Sequence, residues 1–111
     1  MALHKEEERI CRQLGNLDSL QRSLGNQALI LKAWGKLGEA MALHKEEERI
    51  CRQLGNPEGL AASMANQALL LAQQGQRQEA RAKAQEALAL AQQHGLAALA
   101  KQIAGLSILR Q

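Results

Sequence analysis

Valine, threonine, tyrosine and phenylalanine are all missing from this 111-residue chain, and Trp34 is its whole aromatic content. Strands draw on β-branched and aromatic side chains, of which only isoleucine and that one indole are present, so a β-rich fold is excluded. No stretch approaches the ~18 consecutive apolar residues of a membrane-spanning helix, so no membrane partner is expected. Cysteine is scarce too. Cys11 and Cys51 occupy equivalent places in a repeated segment, which points to duplication and not to a disulfide framework. The chain opens directly on that repeated segment, so no signal peptide is expected and the cytoplasm is the expected address.

What is present is equally lopsided. Leucine, alanine, glutamine, glutamate, lysine and arginine dominate, the residues that lose least entropy in a helix. The reading is all-α, a single domain over 1–111. The formal charge is +3, which raises nucleic acid as a partner, but the charges are mixed. Lys5, Glu6, Glu7, Glu8, Arg9 and Arg12 carry both signs within a few turns. Such a run is a solvated helix face, supported by pairs such as Glu8–Arg12 and Glu48–Arg52 at about 0.2–0.5 kcal/mol each. Nucleic acid is therefore the weakest of the binding readings.

The order of residues says more than their numbers. Met1–Asn16 reads MALHKEEERICRQLGN and returns unchanged as Met41–Asn56. The intervening Leu17–Ala40 aligns without gaps on Pro57–Ala80, and a decayed third copy follows in Arg81–Gly95. A fixed period of 40 residues marks a stack of one structural unit. An unchanged copy of this length implies either a recent duplication or an engineered sequence.

Each unit reads as two helices. In the middle copy Asn56 can cap, Pro57 fits the first helical position and Glu58 favours the positive end of the dipole. Leu60, Met64, Ala68 and Leu71 then recur at helical spacing, with Leu69 and Leu70 widening the apolar face. A second helix is predicted from about Gln78 to His94, with Ala80, Ala84, Ala87, Leu88 and Ala91 on one stripe. The preceding copy repeats this with Leu20, Leu24, Ala28 and Leu31, then Ala40, Leu43, His44, Glu47, Ile50 and Leu54. Gly15, Gly35, Gly55, Gly75 and Gly95 end the helices at an even 20-residue interval. Such pairs cannot bury their faces alone and must stack on neighbours.

No catalytic, cofactor-binding or metal site is expected. His4 and Cys11, like His44 and Cys51, lie seven residues apart on one helix, roughly 10 Å and too far for a nucleophile–base hydrogen bond. One cysteine per helix lacks the pairing of a zinc site. Asp18 is the only aspartate, Ser23 and Ser63 sit inside helices without a strained turn, and no glycine-rich phosphate loop occurs.

The repeat resembles the tetratricopeptide family. The likeness rests on the small residues Ala28 and Ala68 and on Gly35-x-x-x-Glu39-Ala40 and Gly75-x-x-x-Glu79-Ala80, where the family has its turn glycine and recurrent alanine. Leu24 and Met64 stand where the family often has tryptophan, and Leu31 and Leu71 where it has tyrosine. Departures are Gln27 and Gln67 for leucine, His44 for an aromatic, Glu47 for alanine, and a period longer than the common ~34 residues. The resemblance implies a right-handed α-solenoid of about six helices presenting a concave face to a protein or peptide. It places the groove at Arg22, Gly25, Asn26, Leu29 and Lys32 in one copy and Ala62, Ala65, Asn66, Leu69 and Ala72 in the next. Asn26 and Asn66 match the family's groove asparagine, whose amide can bond a peptide backbone or, alternatively, a neighbouring helix. The family's lysine-rich carboxylate clamp is not reproduced, which leaves a more apolar groove.

The ends differ from the middle. Residues 1–16 are a partial repeat whose helix, Ala2–Leu14, lacks the usual preceding partner. Repeats follow over 17–56 and 57–95. Leu96–Gln111 reads as a divergent capping helix with Leu99, Ile103, Leu106 and Leu109 on its apolar side and Lys101, Gln102 and Arg110 toward water. Trp34 reads as a staple over the helix turn or as a contact anchor. A self-assembling module is thus the alternative to a peptide-binding scaffold, with Leu3, Ile10, Leu14 and Trp34 as candidate self-association residues and at least a homodimer expected at high concentration.

Overall fold

The computed structural model describes the backbone of residues 2–109 and the side chains of that range apart from residues 2, 13 and 14. The chain is an all-α helical repeat. Its helices are α1 (Ala2–Leu14), α2 (Leu17–Ala33), α3 (Leu37–Leu54), α4 (Pro57–Gln73), α5 (Arg77–Gln93) and α6 (Ala97–Ala104), followed by a 3-10 turn, Ser107–Leu109. No strand occurs among the described residues.

Local chemistry sets these boundaries. Asn16 Oδ1 accepts from the Ser19 N–H at 3.1 Å and Asn56 Oδ1 from the Gly59 N–H at 3.0 Å, so each asparagine satisfies a donor left open at a helix start. Pro57 takes the first turn of α4, where its missing N–H leaves no bond unmade. At the far end of α3, Gly55 adopts φ 66° and ψ 42°, the left-handed conformation that reverses the chain without a Cβ clash. The glycines at its 20-residue interval share the positive φ. After α2 the Lys36 N–H reaches back to the Leu31 carbonyl at 2.8 Å, and after α4 the Gln76 N–H to Leu71 at 2.9 Å, which closes the same turn in both copies.

The helices form two compact units, Met1–Gly55 and Asn56–Gln111. In the first, α2 lies between α1 and α3 and packs along both. Its core joins Leu20 and Leu24 of α2 to Ile50 of α3 and Cys11 of α1, with Leu17 and Leu43 against it. In the second, α4 packs along α5, and α6 lies on α5 and reaches α4. The core there holds Leu60, Met64, Ala68 and Leu70 of α4, Ala80, Ala84, Ala87 and Ala91 of α5, and Ile103 of α6. The alanines recur every three or four residues, one stripe that allows close helix approach.

Three sequence expectations shift in detail. Leu70 takes the fully buried place expected of Leu71, which is only half-buried. Leu54 is exposed at the end of α3. The capping helix read over Leu96–Gln111 stops at Ala104, because Gly105 and Ser107 favour a turn over continued helix, and Arg110 and Gln111 lie outside the described residues.

Candidate functional site

In the second unit, Ala62, Ala65, Asn66 and Leu69 fall at i, i+3, i+4 and i+7, one face of α4. Opposite them stand Leu99, Gln102, Ile103 and Leu106, from α6 and the turn after it. Together these side chains line an open cleft of about 220 Å³. Four of the five groove positions expected in this copy are therefore brought together. The fifth, Ala72, lies in a separate cleft of about 280 Å³ with Arg77, Gln78, Arg81, Ser107 and Ile108. Asn66 is half-buried at the first cleft and makes no side-chain hydrogen bond among the described residues, which leaves its amide facing available space. The site is a small apolar trough with two amides, Asn66 and Gln102, on its walls. It can hold a short apolar segment and bond its backbone.

The first unit places its groove residues differently. Arg22, Asn26 and Leu29 are exposed on one face of α2, Leu29 by 48%. Arg22 approaches Asp18 at 3.5 Å, and Lys32 is half-buried. Gly25 departs from its expected role. It is buried, and a Cβ built there would collide with the Glu47 carboxylate of α3, so this glycine receives a neighbouring helix and not a ligand. Above it Glu47 Oε1 lies 2.9 Å from His44 Nδ1, with the histidine 1% exposed. In the second unit alanine stands at all three equivalent positions, Ala65, Ala84 and Ala87. The glycine, histidine and glutamate are one packing device.

Polar groups that sequence reading left as departures also bind helices together. Gln27, where the resemblance suggests leucine, is buried and donates to Glu8 Oε1 at 2.9 Å and to the His4 carbonyl at 3.4 Å. Ser23 Oγ donates to the same carbonyl at 3.0 Å. Arg12 joins Glu8 at 3.0 Å and Glu46 of α3 at 2.7 Å, so α1 is held to both other helices of its unit. Burial pushes the Glu8 carboxyl up, but hydrogen bonds from Gln27 and Arg12, with the charges of Arg12 and Lys5, outweigh it and hold the group below its ordinary value. The Glu46 bond leads the effects that raise the Arg12 guanidinium.

Of the candidate self-association residues, Leu3 and Ile10 are exposed by 85% and 43% and share one side of α1, seven residues apart. The side chain of Leu14 lies outside the described residues. Trp34 is 59% exposed at the end of α2, with the Lys36 ammonium of the following turn 6.0 Å from its ring centroid. Cys51 is buried, its Sγ 3.4 Å from Gln21 Oε1, and burial followed by the charges of Glu47, Asp18 and Glu48 pushes its thiol up to about 11. Among the described residues no group of three histidine, cysteine or acidic side chains could hold a metal, and no helix is long and apolar enough to cross a membrane.

These features define an all-helical repeat protein with an open, largely apolar cleft between α4 and α6. Compared with known proteins, the sequence matches no family model and no curated protein.

Proposed function

We propose that the chain is a non-catalytic binding module, a tetratricopeptide-like solenoid that takes a peptide or protein segment in the cleft between α4 and α6. The observation that carries this reading is Asn66, an amide with no side-chain hydrogen bond among the described residues, set among Leu69, Leu99, Ile103 and Leu106 at the position where the resemblance puts a backbone-reading asparagine. Apolar walls supply affinity by burial, and the amides fix the strand's direction and register. Nothing in the mechanism makes or breaks a bond, and it uses no cofactor or metal.

The experiment is a titration of the full chain with a panel of extended peptides, followed through the methyl resonances of Leu69, Leu99, Ile103 and Leu106. Binding members should shift those four together, and Asn66→Ala should weaken them about 5- to 10-fold, the worth of one net hydrogen bond. Absence of binding across the panel would defeat the reading.

A further inference from the structure

The unchanged sixteen-residue copy makes α1 and α3 an internal comparison: one sequence in two surroundings. In α3, Leu43 and Ile50 pack against the Leu20 and Leu24 core of α2, and Ile50 is fully buried. Their counterparts Leu3 and Ile10 in α1 are exposed. His44 and Glu47 are buried and 2.9 Å apart, with Gly25 of α2 leaving room for the carboxylate. Their counterparts His4 and Glu7 are 3.8 Å apart and open to solvent, at 33% and 54% side-chain exposure. The face of α1 that is bare is thus the face that its twin uses to hold α2. The other side of α1 is already engaged by α2: Ser23 bonds the His4 carbonyl, Gln27 bonds Glu8, and Cys11 packs with Leu20 and Leu24.

We infer that the Leu3–Glu7–Ile10 face of α1 is a docking surface for one further amphipathic helix of another polypeptide, a helix carrying the α2 pattern of two leucines four apart followed at once by glycine. The leucines would cover Ile10 and Leu3 as Leu20 and Leu24 cover Ile50 and Leu43, and the glycine would receive the Glu7 carboxylate. A folded second copy offers no such helix. Leu20, Leu24 and Gly25 of α2 are buried, as are Leu60, Met64 and Ala65 of α4. The exposed residues of α6 are alanine, lysine and glutamine. Two α1 helices laid against each other would set acidic faces together with no glycine to accept Glu7. By shape, therefore, the surface favours a helix of that pattern over a second folded copy.

The probe is a synthetic peptide with the sequence of residues 17–33, added to the intact chain and followed by methyl and imidazole resonances. Expected are shifts at Leu3, Ile10 and His4, with those of Leu43, Ile50 and His44 unchanged. Ile10→Asp and, separately, Leu3→Asp in the protein should each weaken binding about 100-fold, because a charge is then buried without a counter-ion. Both residues are exposed, so circular dichroism should show these variants folded. A peptide carrying leucine in place of its glycine should bind about 10-fold less well or worse. Three results would overturn the inference: no binding at millimolar peptide; shifts at Ile50 in place of Ile10, meaning that the peptide has displaced the resident helix; or a mass that doubles with concentration for the chain alone and reverts in Ile10→Asp, which would give the face to a second copy.

Discussion

Gly25→Ala should destabilise the first unit, although alanine is the better helix former. In a helix interior the exchange alone contributes about 0.5–1 kcal/mol of stability. Here the new methyl meets the Glu47 carboxylate. A carboxylate at the end of a side chain can move, but this one is 11% exposed and bonded to His44 at 2.9 Å, so displacement breaks that bond. A buried hydrogen bond to a charged group is worth about 1.5–3 kcal/mol. The balance is a net loss of about 1–2 kcal/mol. In a Glu47→Ala background nothing opposes the methyl, and the same substitution should instead stabilise by about 0.5–1 kcal/mol. The second unit already has this arrangement, with Ala65 and Ala87 both buried. Urea denaturation of the four proteins of this double-mutant cycle measures the coupling, expected at about 2–3 kcal/mol. Equal effects of Gly25→Ala in the two backgrounds, within about 0.5 kcal/mol, would refute the packing argument.

Other consequences follow from the same contacts. Asn56→Ala removes the cap bond to Gly59 and should lower stability by about 1 kcal/mol in urea melts, whereas Asn56→Gly should lose only a few tenths. Glu8 has a depressed pKa in the folded chain, so its contribution is present above the ordinary carboxylate value near 4.5 and is lost as pH falls through the lower folded value. Amide exchange in α1 should accordingly accelerate on acidification before that of α2, and Gln27→Leu should reduce this pH dependence. The Cys51 thiol, pushed up to about 11, should resist alkylation in the native chain at pH 8 and react only as urea unfolds it. Its raised value also means that stability falls as pH rises from about 9 toward 11, because the unfolded thiol ionises first.

Helix positions and ends were legible because each rests on local chemistry: leucines at helical spacing, an asparagine before Leu17 and Pro57, a glycine every twenty residues. The cleft was partly legible. Ala62, Ala65, Asn66 and Leu69 follow from one helix face, and the wall of Leu99, Ile103 and Leu106 shows the same periodicity, but where the helix carrying them ends did not. Leucine spacing runs on through Gly105, and only the backbone reveals that the glycine breaks the helix there. Gly25 was misplaced because a small residue on a groove face and a small residue under a neighbouring side chain look alike in one dimension. A signal did exist: Gly25, His44 and Glu47 become Ala65, Ala84 and Ala87 together, one period on. Gln27 is similar, since a buried amide is tolerated only where it finds partners, and its partners sit nineteen and twenty-three residues earlier.

The most direct test of the binding role is a peptide-panel titration of the isotope-labelled chain that reads every methyl group at once. The account predicts that binding peptides move Leu69, Leu99, Ile103 and Leu106 as a set and lose affinity to Asn66→Ala. Peptides that bind while leaving those four unmoved, or a panel that binds nowhere, would contradict it.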